Sequence, residues 1–390
     1  MFLDQRNLVR LALFFFLVFL FTGLLLLLTM PRCGIIPSIP WQFKYAFPRC
    51  SMESCFNFSR CDSSPELLVY SYNSPQPIKP TPTYLHNFPS SLWHTSDPQK
   101  ACLFFYYSDS QANKEAWIKP ELSSILPFWN NGLNHVIITF ADKWSDSNPP
   151  QHSIGMASIL GTLLQTTTYR PEFDISIPLP RLNLGAPPRL TSLEPFERKY
   201  FLTFKGRRYF SGQGEFRSSV AFKGMHNGVD VIVVTTCKQG TNDKILRQQP
   251  WRGAECNKDQ TLFESYDYVE LLNSTFGLAP AGRSPASYRM LEVLSAGTIP
   301  ILIGDNYVRP FNTLIQWQDC LLQFPISEIH RILPTLRALP RGDVEARQKY
   351  CRQVFDKFLK DDNTLVNSII QSLKDRFMGT LSNFATQHTK

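Results

Sequence analysis

Metal-ligand spacing is missing from this chain of 390 residues: it has no C-x-x-C knuckle, no histidine pair at ligand distance, and only seven histidines. Zinc modules of the Cys/His kind are thereby excluded, and no metal is expected. No internal repeat is evident either, which excludes a solenoid or propeller. Charge is sparse, with 18% charged against 43% hydrophobic residues, so the chain can bury a large core divided among two or three lobes. Residues 11–30, LALFFFLVFLFTGLLLLLTM, carry no charge at all. At the rise of a helix they match the roughly 30 Å of a bilayer interior. The segment that follows, MPRCGIIPSIP, lacks an A-x-A-like cleavage site, so the run reads as an uncleaved transmembrane signal anchor. Arg6 and Arg10 precede it, which keeps residues 1–10 cytosolic and sends the rest into the lumen, the type II topology.

Nine cysteines fit an oxidising lumen. Cys50, Cys55, Cys61 and Cys102 come early, and Cys237 and Cys256 flank a loop rich in Gly, Lys and Gln. Disulfides are the natural reading, with connectivity open at this point. Cys33, Cys320 and Cys351 need no functional role, and for the last two a buried free thiol is expected. Asn57 and Asn273 each open an N-glycosylation acceptor triplet.

Strand and helix signals alternate along the chain. LLVYSY (67–72), ACLFFYY (101–107), HVIITF (135–140) and FDISIPLP (173–180) read as strands of a first lobe, and KYFLTF (199–204), VDVIVVTT (229–236), STFGLAP (274–280) and TIPILIG (298–304) as those of a second. Continuous apolar runs separated by crossover-length segments predict parallel sheets covered on both faces, hence an α/β fold. Helices are expected at NKEAWIKPELSSILPFW, SYDYVELL, PASYRMLEVLSA and SEIHRILPTLRAL, and one or two amphipathic helices over 344–377 packing back across the lobes.

Two basic segments stand out. In STFGLAPAGRSPASYRMLEVLSAGTIPILIGD (274–304) a strand, loop, helix and strand form one βαβ unit whose loop opens at a helix N-terminus, a setting for a diphosphate with Arg283 as an added fork. Arg289 and Glu292 stand three apart on that helix. They are either a cation beside a ribose-hydroxyl acceptor or an ordinary i,i+3 ion pair. Lys205, Arg207 and Arg208, with Gly206, Gly212 and Gly214, form either a phosphate loop at the carboxyl edge of a sheet or a solvated turn. The G-x-G there lacks the full dinucleotide fingerprint, so NAD is not expected. A net charge of +8 favours an acidic ligand or surface.

FWNNGLNHVIITF, FDISIPLP, KYFLTFKGRRYFSGQGEFRSSVAFKGMHNGVDVIVVTTCK and SYRMLEVLSAGTIPILIGDNYVRPF occur in one order. Together they resemble the N-terminal domain of the exostosins over roughly residues 50–378. The resemblance implies two Rossmann-like lobes of the glycosyltransferase B type behind the anchor. A stem would run over residues 31–62, the first lobe over 63–192, the nucleotide-sugar lobe over 193–342, and C-terminal helices and tail over 343–390. It implies transfer of glucuronic acid from UDP-glucuronic acid to a heparan sulfate chain in the Golgi membrane, or also that of the endoplasmic reticulum, in a hetero-oligomer with a longer exostosin. No other cofactor and no nucleic-acid partner are implied. It further implies bridges Cys50–Cys55, Cys61–Cys102 and Cys237–Cys256, and a donor site of Lys205, Arg208, Arg283, Arg289 and Glu292.

The absence of any Asp-x-Asp triplet fits enzymes of that type, which neutralise a leaving diphosphate with basic groups and a helix terminus. An inverting transfer needs a base for the acceptor hydroxyl; Asp109 and His135 are the candidates, against an Asp turn and a core histidine. The chain departs from the family in three places. Ala281 and Ser284 stand where exostosins have arginines, and Gly277 and Thr298 where they have cysteines. The A-type transferase domain, expected to add N-acetylglucosamine, is not in this sequence, so it is not expected to polymerise heparan alone.

Overall fold

A computed structural model describes residues 50–61, 66–72, 93–108, 122–139, 154–179, 188–238, 243–250 and 252–377. The anchor at 11–30, Cys33, Asp109 and most of the helix expected from 113 lie outside the described residues. Among those described, no helix is long and apolar enough to cross a membrane.

The apolar runs form two five-stranded sheets, parallel in every ladder. In the first, β1 (Val69–Ser71), β2 (Leu103–Ser108), β3 (His135–Thr139), β4 (Ser158–Gly161) and β5 (Ile175–Ser176) lie in sequence order. Leu103, Phe105, Val136, Ile138, Leu160 and Ile175 all enter one core, as expected of strands buried on both faces. Of the expected strand 173–180 only two residues pair. Pro178 and Pro180 carry no N–H for a ladder. Sequence reading did not single out β4, whose Ser158, Gly161 and flanking Thr162 interrupt the apolar signal. Its polar groups are met by local partners: Ile159 N donates to Asp174 Oδ1 at 2.8 Å and Ser158 Oγ donates to Phe173 O.

The second sheet runs β10–β9–β8–β6–β7, from β6 (Tyr200–Arg207), β7 (Val231–Thr236), β8 (Ser274–Pro280), β9 (Ile299–Ile303) and the short edge strand β10 (Leu322–Phe324). After β6 the chain steps outward to β7, then crosses back to β8 and proceeds the other way. The order therefore reverses between β6 and β8, the topological switch point of an open α/β sheet. Helices α1 (Val220–Lys223), α2 (Arg252–Glu264) and α3 (Arg289–Ser295) make the crossovers. Two helical readings are corrected. The segment 237–256, read as a loop, contains helix Asp243–Gln248 and the start of α2, while SYDYVELL is a turn followed by a single 3-10 turn at Glu270–Leu272.

The segment after β9 is stitched to the first sheet. Val308 N donates to Leu164 O at 3.0 Å, Thr166 N to Asn306 O at 2.8 Å, and Phe311 N to Ser176 O at 2.7 Å. Leu164 and Thr166 follow β4, and Ser176 ends β5, so the carboxyl edges of the two sheets face each other. Helices α4 (Arg341–Val354) and α5 (Asp362–Phe377), joined by a π-turn at Phe355–Leu359, close the structure. The last reaches back to the first lobe, where Phe377 packs on Phe56 with centroids 4.5 Å apart.

The bridges Cys50–Cys55, Cys61–Cys102 and Cys237–Cys256 are present. A fourth corrects the free-thiol expectation: Cys320, at the end of the short helix Trp317–Cys320, is bonded to Cys351 on α4. Thirty-one residues separate the two cysteines. Nothing in spacing alone announces a pairing made by two helices that meet only in the fold.

Candidate active site

The switch point brings the two basic loops together. The loop after β6 lies directly on the loop after β8: a Cβ placed on Gly214 would meet Gly282 O at 2.8 Å and the Tyr209 ring at 2.4 Å. No larger residue fits there without moving backbone. What fastens the two loops is Arg217, which the sequence reading placed within the cluster but did not single out. Its Nε donates to Ala281 O at 2.9 Å, and its terminal nitrogens donate to Pro280 O at 2.6 Å and Arg207 O at 2.8 Å. The guanidinium is 6% exposed. Burial lowers its pKa to about 10, so at neutral pH it remains a fixed cation beneath the tips of β6 and β8. Its signal was an arginine ten residues beyond a strand end, indistinguishable in one dimension from its basic neighbours.

Arg283 is exposed at the head of the β8 loop. The expected helix start at Pro285 is late by four residues: α3 begins at Arg289 and has seven residues. The diphosphate setting imagined at a helix N-terminus is thus a loop, Ala281–Tyr288, with buried Ser284 turning back so that its carbonyl accepts from Gly282 N at 3.0 Å.

Arg289 and Glu292 do share a face, and a third residue joins them. Arg289 is 4% exposed, and its Nη1 stands 3.8 Å from Glu292 Oε2. Among the described residues, none of its three side-chain nitrogens has a hydrogen-bond partner, an unusual state for a buried guanidinium. Its plane lies 4.8 Å from the Tyr268 ring centroid, and the Tyr268 hydroxyl donates to Glu292 Oε2. Burial raises the Tyr268 pKa, Arg289 opposes that rise and the Glu292 carboxylate adds to it. The phenol therefore stays protonated as the donor. A cation with unsatisfied donors beside a carboxylate is suited to an anion adjoining a hydroxyl group.

The remaining basic residues of the expected donor set are engaged elsewhere, on the α2 side. Arg208, 1% exposed, holds Asp259 at 2.6 Å and Glu255 at 2.9 Å, carboxylates that Lys223 shares. Lys205 lies 4.3 Å over the Phe263 ring and donates to Tyr266 O. Both brace α2 against β6.

Of the two candidate bases, Asp109 lies outside the described residues. His135 opens β3, at the amino edge of its sheet, away from the facing carboxyl edges. Tyr72 Oη lies 2.9 Å from its Nε2 and Leu133 O lies 2.8 Å from its Nδ1, and its ring stacks 4.9 Å from Phe104. Burial lowers its pKa to about 4. Both nitrogens are occupied and the ring is sealed in, which is the core-histidine arrangement.

The two acceptor asparagines sit in different settings. Asn57 caps a turn, its Oδ1 accepting from Ser59 N at 3.1 Å and Ser59 Oγ at 2.7 Å. Asn273 precedes β8, half-buried, with Ser274 and Thr275 of its triplet inside the strand.

The Exostosin GT47 domain matches residues 60–339. Exostosin-1c of Danio rerio is 31% identical over 358 residues, covering 88% of this chain and 48% of that protein. Exostosin-1 of Drosophila melanogaster is 32% identical over 353 residues, 84% and 45% respectively. The chain thus spans about half the length of the curated relatives it matches. Among solved structures, a glycosyltransferase from Rickettsia africae ESF-5 is similar with a TM-score of 0.36 at 9% identity, over 78% of this chain and 83% of that one. The family match takes in both parallel sheets up to Leu339, and on it the chain belongs to the exostosin GT47 glycosyltransferase family.

Proposed function

We propose that this protein is a component of heparan sulfate polymerase, with two lobes of the glycosyltransferase B type that take UDP-glucuronic acid as donor and the growing heparan chain as acceptor. It works beside a longer exostosin-like partner. The observation that carries this reading is Arg289, a buried guanidinium with no hydrogen bond among the described residues, 3.8 Å from Glu292 on the crossover that follows the switch point. Such a site offers donors to a phosphate and an acceptor to a ribose hydroxyl. Arg217 and Arg283 at the neighbouring strand tips supply positive charge for a leaving diphosphate without a metal ion. Residues 11–30 anchor the chain as a type II protein of the Golgi membrane, with the endoplasmic reticulum as a second station.

One feature favours a second reading, a catalytically weak subunit that activates its partner. The β8 loop reads Pro280-Ala281-Gly282-Arg283-Ser284, with two fewer arginines than the family resemblance expects there. The two readings separate in one experiment: the full chain in detergent, alone and with a longer exostosin, assayed for glucuronic acid transfer from UDP-glucuronic acid to heparan oligosaccharides. Transfer by the lone chain that Arg283→Ala abolishes supports the catalyst. No transfer alone, with a rise in the partner's activity that survives Arg283→Ala, supports the activator. Absence of both effects rejects both.

A further inference from the structure

Arg289 and Glu292 stand at the helix spacing where such side chains ordinarily close into a hydrogen-bonded ion pair. Here they do not close. Nη1 of Arg289 stands 3.8 Å from Glu292 Oε2, and among the described residues all three guanidinium nitrogens lack a hydrogen bond although the side chain is buried. Leaving buried donors unmet opposes folding, so something must hold the two apart. One side chain that touches both is Tyr268, from the turn between α2 and β8. Its hydroxyl occupies Glu292 Oε2, and its ring face lies 4.8 Å from the guanidinium. The hydroxyl satisfies the acid, and the ring face supports the cation.

We infer that Tyr268 is a positioning residue for the sugar nucleotide: by taking Glu292 with its hydroxyl and Arg289 with its ring, it keeps the guanidinium donors open for the diphosphate and the carboxylate open for a ribose hydroxyl. The inference rests on the donor-site reading above. Without the hydroxyl, Glu292 is free to swing onto Arg289 and close the ion pair. The nucleotide then has to break that pair before it binds, which lowers its affinity by the free energy of closure.

The test is UDP binding to the full chain in detergent, by titration calorimetry, with a thermal melt for each variant. Tyr268→Phe keeps the ring and removes only the hydroxyl. We expect about tenfold weaker UDP binding, with a melting temperature close to that of the unaltered chain. In the Glu292→Gln background no ion pair can form, so Tyr268→Phe is expected to change affinity there by less than about twofold. A role in packing alone would weaken both backgrounds equally, and that result overturns the inference. So does UDP binding that survives Tyr268→Phe but is lost with Arg289→Ala. If UDP binding is indifferent to Arg289→Ala and to Glu292→Gln as well, or is absent from the unaltered chain, the donor-site reading itself fails and the inference with it. Should the Phe variant not fold, Tyr268→His replaces it, since it keeps a ring and an N–H donor. Binding within about threefold of the unaltered chain is then expected, and a larger loss overturns the inference.

Discussion

Three backbone carbonyls, from Arg207, Pro280 and Ala281, converge on Arg217, and no carboxylate lies within ion-pair distance of it among the described residues. Replacement by methionine keeps the stem and strands those carbonyls beneath the loops. Arg217→Met is therefore expected to lower unfolding free energy by about 3 kcal/mol, measured by denaturant titration. His135 gives the opposite kind of test. Its ring is neutral in the fold because burial takes its pKa to about 4, against an ordinary 6.5. As pH falls, the unfolded chain takes up the proton first. The stability that the neutral ring contributes is thus complete above about pH 6.5 and lost as pH falls towards 4, at most about 3 kcal/mol. Melting temperatures across that interval should fall less steeply in His135→Phe, which at pH 7 is itself less stable because the Tyr72 hydroxyl and Leu133 carbonyl lose their partner. At this scale the sequence offered two readings of His135 and none of Arg217. Arg289 and Glu292 were legible as a pair because helix spacing is local, whereas Tyr268 stands 24 residues from Glu292 and only folding brings them together.

At the scale of elements, Gly277 and Thr298 are neighbours in the second sheet. A Cβ on Gly277 would lie 3.2 Å from Thr298 Cγ2, so the two replaced positions face each other across β8 and the start of β9. Here Thr298 Oγ1 instead donates to Leu272 O at 2.9 Å and accepts from Arg198 at 3.0 Å. A separate covalent tie, Cys320–Cys351, pins the helix Trp317–Cys320 to α4. Cys320→Ser with Cys351→Ser frees a loop of 31 residues and is expected to cost about 3.5 kcal/mol in the chain-entropy account, read as a lower melting temperature under non-reducing conditions only. All eight strands expected from continuous apolar runs formed, because burial on both faces leaves an unbroken pattern in the sequence. The two that were missed, β4 and β10, are short and have part of their backbone or flanks satisfied by local polar groups or exposed to solvent. The α2 region was misread because its helix has one buried residue, Cys256, and hence no apolar stripe.

In the molecule as a whole, α5 ties the end of the described chain to its beginning. Phe377 packs on Phe56, Arg376 donates to Tyr169 Oη at 3.1 Å, and Lys374 lies 3.4 Å from Glu66. The Lys374–Glu66 pair is partly exposed and contributes little; the buried rings and the buried Arg376 carry the attachment. Phe377→Ala should therefore destabilise by about 3 to 4 kcal/mol, while Lys374→Ala stays within about 0.5 kcal/mol of the unaltered protein, both followed by thermal melts. Contacts from Asn306 to Phe311 hold the facing carboxyl edges of the two sheets in place. Substitution of Ser176 by alanine removes its bond to Val308 O at 2.7 Å in a fully buried site.

Apolar periodicity and glycine and proline placement sufficed to specify an α/β chain with two parallel sheets, because those signals are local and repeat at every strand. They also marked the loops after β6 and β8 as the basic edges of the second sheet. Which cations serve a ligand and which brace the fold was decided in three dimensions. Arg208 met two carboxylates on α2, Arg217 met three carbonyls at the switch point, and Arg289 met an aromatic face and, among the described residues, no hydrogen-bond acceptor. A guanidinium's role follows from its partners, and those partners lie from 10 to 64 residues away, where only tertiary structure can deliver them.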